Sequence, residues 1–98
     1  MLTTTPESWN LTKPAVSSDG GVVVTQHVLA SQAGVGVLEQ GGNAVDAAVA
    51  AGFAAGAVEP WMSGIGGCGY MVVYKADEHK SYAVEFGVKS SKAIDPDQ

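Results

Sequence analysis

Hydrophobic and polar positions change their spacing several times along this 98-residue chain, and each change predicts a different element. Residues 1–19 are polar, contain Pro6 and Pro14 and show no period, which predicts an irregular N-terminal arm. Directly after the Gly20–Gly21 pair, the β-branched run at residues 22–25 predicts a buried strand. The folded part of the chain is therefore expected to span residues 20–98.

Helical spacing follows this predicted strand. One helical face collects four apolar residues, Leu29, Ala33, Val37 and Leu38. Gly41 supplies the left-handed residue at which a helix stops, and Asn43, with Asp46 three positions later, is typical of the start of another helix. The segment "EQGGNAVD" is thus predicted to join two helices in very few residues.

The second predicted helix, "AVDAAVAAGFAAGAVE", is small and apolar on nearly all sides. Glycine inside a helix costs about 1 kcal/mol against alanine and is tolerated where backbones pack closely. We therefore expect this helix to be buried against a sheet or a partner helix. Glu59 precedes Pro60, which disfavours helical backbone at residue 59 and ends the helix.

A glycine loop comes next, in which Gly64, Gly66 and Gly69 have the G-x-G-x-x-G spacing of dinucleotide-binding turns. Such a turn needs a strand before the glycines and a helix after them. Here a helix precedes them, and the strand-like segments "YMVVYKAD" and "YAVEFGVKSS" follow, joined by a polar turn. We predict no NAD or FAD site, and assign the glycines to positive φ and close backbone approach.

Composition narrows the classes of function. The net charge is −5 and the sequence contains no arginine, which argues against a nucleic-acid partner. The single cysteine, Cys68, excludes an internal disulfide. No secretory signal is visible at the start, and the apolar run Ala44–Val58 is shorter than the roughly 20 residues of a membrane span. We expect no membrane span and favour a cytoplasmic location.

Several motifs resemble, in order, the N-terminal part of the large subunit of the γ-glutamyltranspeptidase family. They are "HVLASQAG", "GGNAVDAAVA", the "EP" and "MSGIGG" of the glycine loop, and the strand after it. The likeness runs from about Gly20 to Phe86, with Val28 where the family usually has proline. It implies an α+β fragment of the four-layer αββα fold of N-terminal nucleophile hydrolases, in the order strand, helix, helix, strand, strand. Residues 20–98 are then an incomplete part of a larger domain.

The resemblance also implies a function. Family members are precursors that cut themselves into two subunits and act as amidohydrolases or acyltransferases on γ-glutamyl amides such as glutathione. The nucleophile is the N-terminal threonine of the small subunit, with its own amine as base. The threonines near the start of this chain, Thr3, Thr4 and Thr5, follow Met1 and Leu2 and lack the processing motif. The full-length protein is expected to be an enzyme, and this chain alone to be inactive, with no catalytic residue and no cofactor.

The implied partners are the rest of the large subunit, the threonine-initiated small subunit and a small acyl amide. In the family, an arginine just after the "DF" of the second strand holds the α-carboxylate of the glutamyl group. Here "AVEFGVK" places Gly87 at that position, and glycine cannot neutralise a carboxylate. Strand alternation would put Glu85, Gly87 and Lys89 on one face, so that Lys89 stands in as a point charge. The alternative, which we favour, is an acyl group without an α-carboxylate, as related acylases accept.

Other polar residues have structural interpretations beside functional ones. His27, at the predicted strand end, is expected to be satisfied by the backbone rather than to carry protons, and His79 to be solvated in a turn. Cys68 is expected to be a small buried filler rather than a reactive thiol. These residues have no metal-ligand spacing, so we predict no metal site. Ser63 is a candidate hydrogen-bond donor to a substrate.

A rival hypothesis is a truncated, non-catalytic family member that self-associates or binds a partner. The chain begins with methionine and ends at "KAIDPDQ" without a folded stop, which suits a truncated product or a fragment. Continuation of the coding sequence into a threonine-containing processing segment would favour the enzyme. An immediate stop codon would favour the rival.

Overall fold

The computed structural model describes residues 10, 12–95 and 97, and within them two helices precede a two-stranded antiparallel hairpin. The elements are α1 (Val28–Glu39), α2 (Ala44–Val58), β1 (Gly69–Lys75) and β2 (Lys80–Phe86). The predicted α+β class is confirmed. Of the predicted arm, residues 12–19 form neither helix nor strand, whereas residues 1–9 and 11 lie outside the described residues.

The strand predicted at residues 22–25 is not formed in the described part of the chain. The side chains of Val22 and Val24 are 51% and 86% exposed. Val23 instead approaches α1, where its Cγ1 lies 2.9 Å from the position of a Cβ added to Gly34. The prediction was wrong in this structure because a strand needs a hydrogen-bonded neighbour, and neither described strand pairs with residues 22–25.

The junction between the helices is capped on both sides. Gly41 has the left-handed φ of 88°, and the amide of Gly42 donates to the carbonyl of Val37 at 2.9 Å, which ends α1 in a Schellman-type turn. The Asp46 amide then donates to Oδ1 of Asn43 at 2.9 Å, and the Asn43 amide donates to Oδ2 of Asp46 at 3.0 Å. This reciprocal pair is a capping box at the start of α2. The prediction for this junction is confirmed.

The two helices pack through their smallest residues. Ala30, Ala47 and Ala51 are the buried hydrophobic side chains of the described residues. A Cβ added to Gly34 would lie 3.2 Å from the Ala47 carbonyl oxygen, so the backbones approach closely there. The predicted face of α1 was wrong at Leu29, which is 51% exposed, because close helix packing selects the alanine and glycine row instead. Neither described helix combines the length and apolar character of a membrane span.

The hairpin carries large apolar side chains on both faces. Its register pairs Gly69 with Phe86 and Lys75 with Lys80. Because side chains alternate along a strand, Tyr70, Val72 and Tyr74 share one face. The opposite face carries Met71, Val73, Tyr82, Val84 and Phe86. Large apolar side chains on both faces remain solvent-exposed in the described structure.

Candidate functional site

An open groove of about 1050 Å³ lies where α2, the loop at residues 60–68 and the hairpin meet. Phe53 and Gly56 are part of its helical wall, Trp61 belongs to the loop, and Met71 and Phe86 come from the hairpin. We name this cavity the loop groove. Its lining among the described residues includes no carboxylate, ammonium or imidazole. The groove therefore offers apolar contact, hydroxyl and backbone hydrogen bonds and one thiol, but no ordinary acid-base group.

The loop is folded back onto the end of α2. The Glu59 carbonyl accepts hydrogen bonds from the amides of Met62 at 2.9 Å and Ser63 at 3.0 Å. A Cβ added to Gly56 would lie 3.6 Å from Cα of Gly64, so the loop backbone passes directly over the last turns of the helix. Pro60 cannot continue the helix, and these bonds give the chain its reversal. The position of Ser63 at the groove is thus fixed through its own backbone.

The glycines of the loop follow the order predicted for them, but the predicted positive φ was wrong, because the positive-φ glycines of the described residues are Gly21 and Gly41. Helix α2 ends at Val58, before Gly64 and Gly66, and β1 starts at Gly69. A phosphate at this loop would therefore meet a strand and not the N-terminus of a helix. A Cβ added to Gly69 would lie 2.7 Å from Cζ of Phe86, so a larger residue at the start of β1 would displace the Phe86 ring.

The three predicted site residues differ in their relation to the loop groove. Ser63 lines the loop groove, whereas Gly87 and Lys89 are outside its lining. Strand β2 ends at Phe86, so both residues lie beyond the strand. The paired strand therefore stops before Gly87 and Lys89, and their common face stays a prediction. A Cβ added to Gly87 would meet nothing within 4 Å, so the position has room for a larger side chain.

The cysteine and histidines have different environments. Cys68 is exposed and lines the loop groove, so the prediction of a buried filler was wrong. It is the last loop residue before β1. His79 is exposed in the hairpin turn with a φ of 49°, and that prediction is confirmed. In the described ranges, no three His, Cys, Asp or Glu side chains come together as a metal site.

The His27 side chain forms a hydrogen bond with the backbone, as predicted. It does so as a helix cap, a role that was not predicted from the sequence. It is the N-cap of α1, and its Nδ1 accepts a hydrogen bond from the Leu29 amide at 3.1 Å. The signal was its position directly before the first helical residue, which is usually held by Ser, Thr, Asp or Asn. The structure thus makes His27 part of the helix start.

Charged side chains gather at the hairpin tip. The Lys75 ammonium and the Tyr82 hydroxyl both donate to the Glu78 carboxylate. The bond from Lys75, followed by that from Tyr82, lowers the pKa of Glu78 below its ordinary value of 4.5. The same bond to Glu78 raises the pKa of Tyr82 above 10.0. This exposed cluster stabilises the turn and is separate from the lining of the loop groove.

The helix pair, glycine loop and hairpin are together a segment of an N-terminal nucleophile hydrolase fold, as solved structures show. The structure of gamma-glutamyltranspeptidase from Pseudomonas nitroreducens complexed with L-DON aligns with 82% of this chain, at 34% identity and a TM-score of 0.72. The aligned part is 23% of the Pseudomonas nitroreducens chain. The sequence model for Gamma-glutamyltranspeptidase matches residues 30–98. This chain belongs to the γ-glutamyltranspeptidase family.

The curated relatives are named for two activities, glutathione hydrolase and acylase. The chain is 41% identical over 92 residues to the glutathione hydrolase proenzyme of Bacillus subtilis subsp. natto, covering 94% of the chain and 16% of that relative. It is 54% identical over 65 residues to the acylase ACY 1 proenzyme of Pseudomonas sp. (strain SE83), covering 66% of the chain and 12% of that relative. The chain thus spans about a sixth or less of the length of these two relatives.

Proposed function

We propose that this chain is the N-terminal segment of the large subunit of a γ-glutamyltranspeptidase-like amidohydrolase or acyltransferase. The observation that carries the proposal is the family match across residues 30–98. The proposed substrates are γ-glutamyl or related acyl amides, glutathione among them, in keeping with the names of the relatives. Residues 20–98 are then an incomplete part of the catalytic domain.

In this proposal the chain supplies scaffold and one wall of the substrate pocket. The absence of carboxylate, ammonium and imidazole groups from the described lining of the loop groove supports a binding role rather than proton transfer. The nucleophile is the N-terminal threonine of the small subunit, which forms the acyl intermediate. Water or an amine then accepts the acyl group. Alone, the 98-residue chain is inactive.

The proposal extends to acyl specificity through Gly87. This residue directly follows β2 and carries no charge to hold a carboxylate. Lys89 is exposed two positions later, beyond the strand that would have aligned it with Gly87. Similarity to an acylase supports an acyl group without an α-carboxylate. We therefore place the specificity change at Gly87, with Lys89 as the weaker candidate.

Substitution of Gly87 by arginine tests this specificity. The open space at that position predicts that the larger side chain is accommodated without loss of stability. In the full-length enzyme, Gly87→Arg is expected to raise kcat/KM for a γ-glutamyl anilide about tenfold to a hundredfold, because a charge-assisted hydrogen bond contributes about 1.5–3 kcal/mol. The rate with a 4-aminobutyryl anilide, which lacks the α-carboxylate, is expected to stay level or fall.

The control is Lys89→Gln, which removes the only other cation proposed for this role. A native enzyme that already prefers the γ-glutamyl anilide, and loses that preference in Lys89→Gln, would show that Lys89 holds the carboxylate. An enzyme that acts on neither anilide, in any variant, would count against the acyl-transfer proposal as a whole.

The second candidate is a non-catalytic module that self-associates or binds a partner. The observation in its favour is the exposure of Phe53, Trp61 and Ile65 around the loop groove, at 65%, 74% and 93%. Native mass spectrometry and N-terminal sequencing of the protein from its own source separate the two. A longer polypeptide, or a partner whose first residue is threonine, supports the enzyme. A free chain of 9.9 kDa or its homo-oligomer supports the module.

A further inference from the structure

Helix α1 begins at a side chain that can be protonated. His27 is the N-cap, with extended φ and ψ of −114° and 133°, and its Nδ1 accepts the Leu29 amide. Its carbonyl oxygen accepts the amides of Ala30 at 3.1 Å and Ser31 at 3.2 Å, so the first turn starts from this residue. A nitrogen that accepts a hydrogen bond carries no proton, so the cap requires neutral imidazole with its proton on Nε2.

Within the described residues, no charged group near His27 offsets the need of this cap for a neutral imidazole. The first turn of α1 contains no acidic residue, and the charged residue of α1, Glu39, is at its other end. Helix α2, packed on α1, carries Asp46, whose carboxylate is engaged by the amide of Asn43. Residues 20–26 carry no charged side chain, and His27 has no ion pair within the described residues.

We propose that His27 is a pH-dependent cap that closes the start of α1 when neutral and opens it when protonated. Protonation turns Nδ1 into a donor, so the Leu29 amide loses its acceptor. It also places a positive charge at the positive end of the helix dipole. Both effects act in the same direction, so acidification that protonates His27 opens the first turn.

The first turn of α1 holds the preceding segment in place. Ala30 is completely buried, and the hydroxyl oxygens of Ser31 and Thr25 are 2.6 Å apart. The Thr25 hydroxyl also donates to the His27 carbonyl at 2.7 Å. Residues 22–25 line a cavity of about 400 Å³ against α2. Opening of the cap therefore loosens one wall of this cavity, while α2 keeps its own cap.

Hydrogen exchange measured by mass spectrometry tests the proposal on the protein as its source makes it. Exchange at about pH 7.5 and pH 5.5 is corrected for the intrinsic rate, on either side of the usual histidine range. Protection of the peptide at residues 27–33 is expected to fall about fivefold at the lower pH, the size of a lost cap. The peptide at residues 43–50 is the internal reference, because the capping box of Asn43 and Asp46 contains no histidine.

Two matched variants assign the effect. His27→Asn keeps a side-chain acceptor that does not titrate, and it is expected to hold protection at both pH values. His79→Asn removes the other histidine, from an exposed turn, and it is expected to leave the pH response intact. Unchanged protection in the native protein, or a response that survives in His27→Asn, would overturn the proposal.

If His27→Asn does not fold, the ring ¹⁵N shifts of native His27 decide the matter. A neutral ring protonated at Nε2, with the Leu29 amide shift following its titration, supports the cap. A neutral ring protonated at Nδ1, or a Leu29 amide that does not respond, refutes it.

Discussion

Two glycines of α1, close in sequence, have opposite relations to their surroundings. A Cβ added to Gly34 would lie 2.9 Å from Cγ1 of Val23 and 3.2 Å from the carbonyl oxygen of Ala47. A Cβ added to Gly36 would meet nothing within 4 Å. Gly34 therefore sets the distance between α1 and its neighbours. The only effect of Gly36 is that it gives the unfolded chain more conformational entropy.

The pair gives a prediction with an internal control. Gly36→Ala is expected to raise the free energy of unfolding by about 1 kcal/mol, the gain in helix propensity. Gly34→Ala is expected to lower it by about 1 kcal/mol, because overpacking costs roughly 1–3 kcal/mol and exceeds that gain. Urea denaturation of the full-length protein measures both. Val23→Ala should recover part of the Gly34→Ala loss, and equal effects of the two glycine substitutions would contradict the close contact.

Residue roles were predictable from the sequence where the partner is a near neighbour. The roles of Gly41 and Asn43 depend on groups within a few positions, and both roles were predictable from the sequence. The contact of the Phe86 ring with Gly69 depends on the register of the hairpin, and the exposure of Cys68 depends on the path of the loop. Pattern and spacing contain neither, so these properties of the candidate site could not be predicted.

At the scale of the element, the hairpin tip is sensitive to acid. Hydrogen bonds from Lys75 and then Tyr82 lower the pKa of Glu78 in the folded hairpin. A lowered carboxyl pKa stabilises the folded state above the unfolded pKa, here about 4.5, and this contribution is lost as the pH falls through the folded value. At pH values below 4.5, the amides of the hairpin tip are therefore expected to lose protection from hydrogen exchange.

Amide hydrogen exchange at residues 76–82 measures this loss, after correction for intrinsic rates. Glu78→Gln is expected to remove the response, whereas Asp77→Asn is expected to leave most of it. Asp77 is a suitable control because its Oδ2 lies 4.0 Å from the Lys75 ammonium, whereas Glu78 accepts the hydrogen bonds from both Lys75 and Tyr82. A response that persists in Glu78→Gln would assign the acid sensitivity to another group.

The elements themselves were predictable where their stabilising bonds are local. Both helices and the hairpin were identified, because helix caps and a short turn connect near neighbours. Residues 22–25 have strand composition but no ladder partner in the described structure, and composition does not say where a partner is. The end of β2 at Phe86 was missed for a similar reason, since its partner β1 starts at Gly69.

At the scale of the whole molecule, the chain is open. Its radius of gyration is 18.8 Å, whereas a compact chain of about 100 residues measures about 13 Å. Among the described residues the buried hydrophobic side chains are three alanines, and aromatic side chains remain exposed on both faces of the hairpin. This arrangement lacks the core that a stable domain of this length needs.

The 98-residue chain expressed alone is therefore expected to self-associate and to bind a hydrophobic dye such as ANS. Exposed apolar faces and the two outer strand edges, which are unpaired within the described residues, both favour association. Size-exclusion chromatography and dye fluorescence measure this, with the full-length protein as the control that covers these surfaces. A monodisperse monomer that melts cooperatively would contradict the expectation and the proposal that residues 20–98 are an incomplete part of a domain.

The capped junction between α1 and α2 also bears on the order of events during synthesis. Its hydrogen bonds join near neighbours such as Val37 and Gly42, and loops this short close in well under a microsecond. A ribosome adds only about 5–20 residues per second. The helix pair can therefore form as soon as it emerges, before the glycine loop and hairpin follow it out of the ribosome. A nascent chain presents the small-residue surface of α2 early, during the interval in which chaperones bind exposed apolar segments.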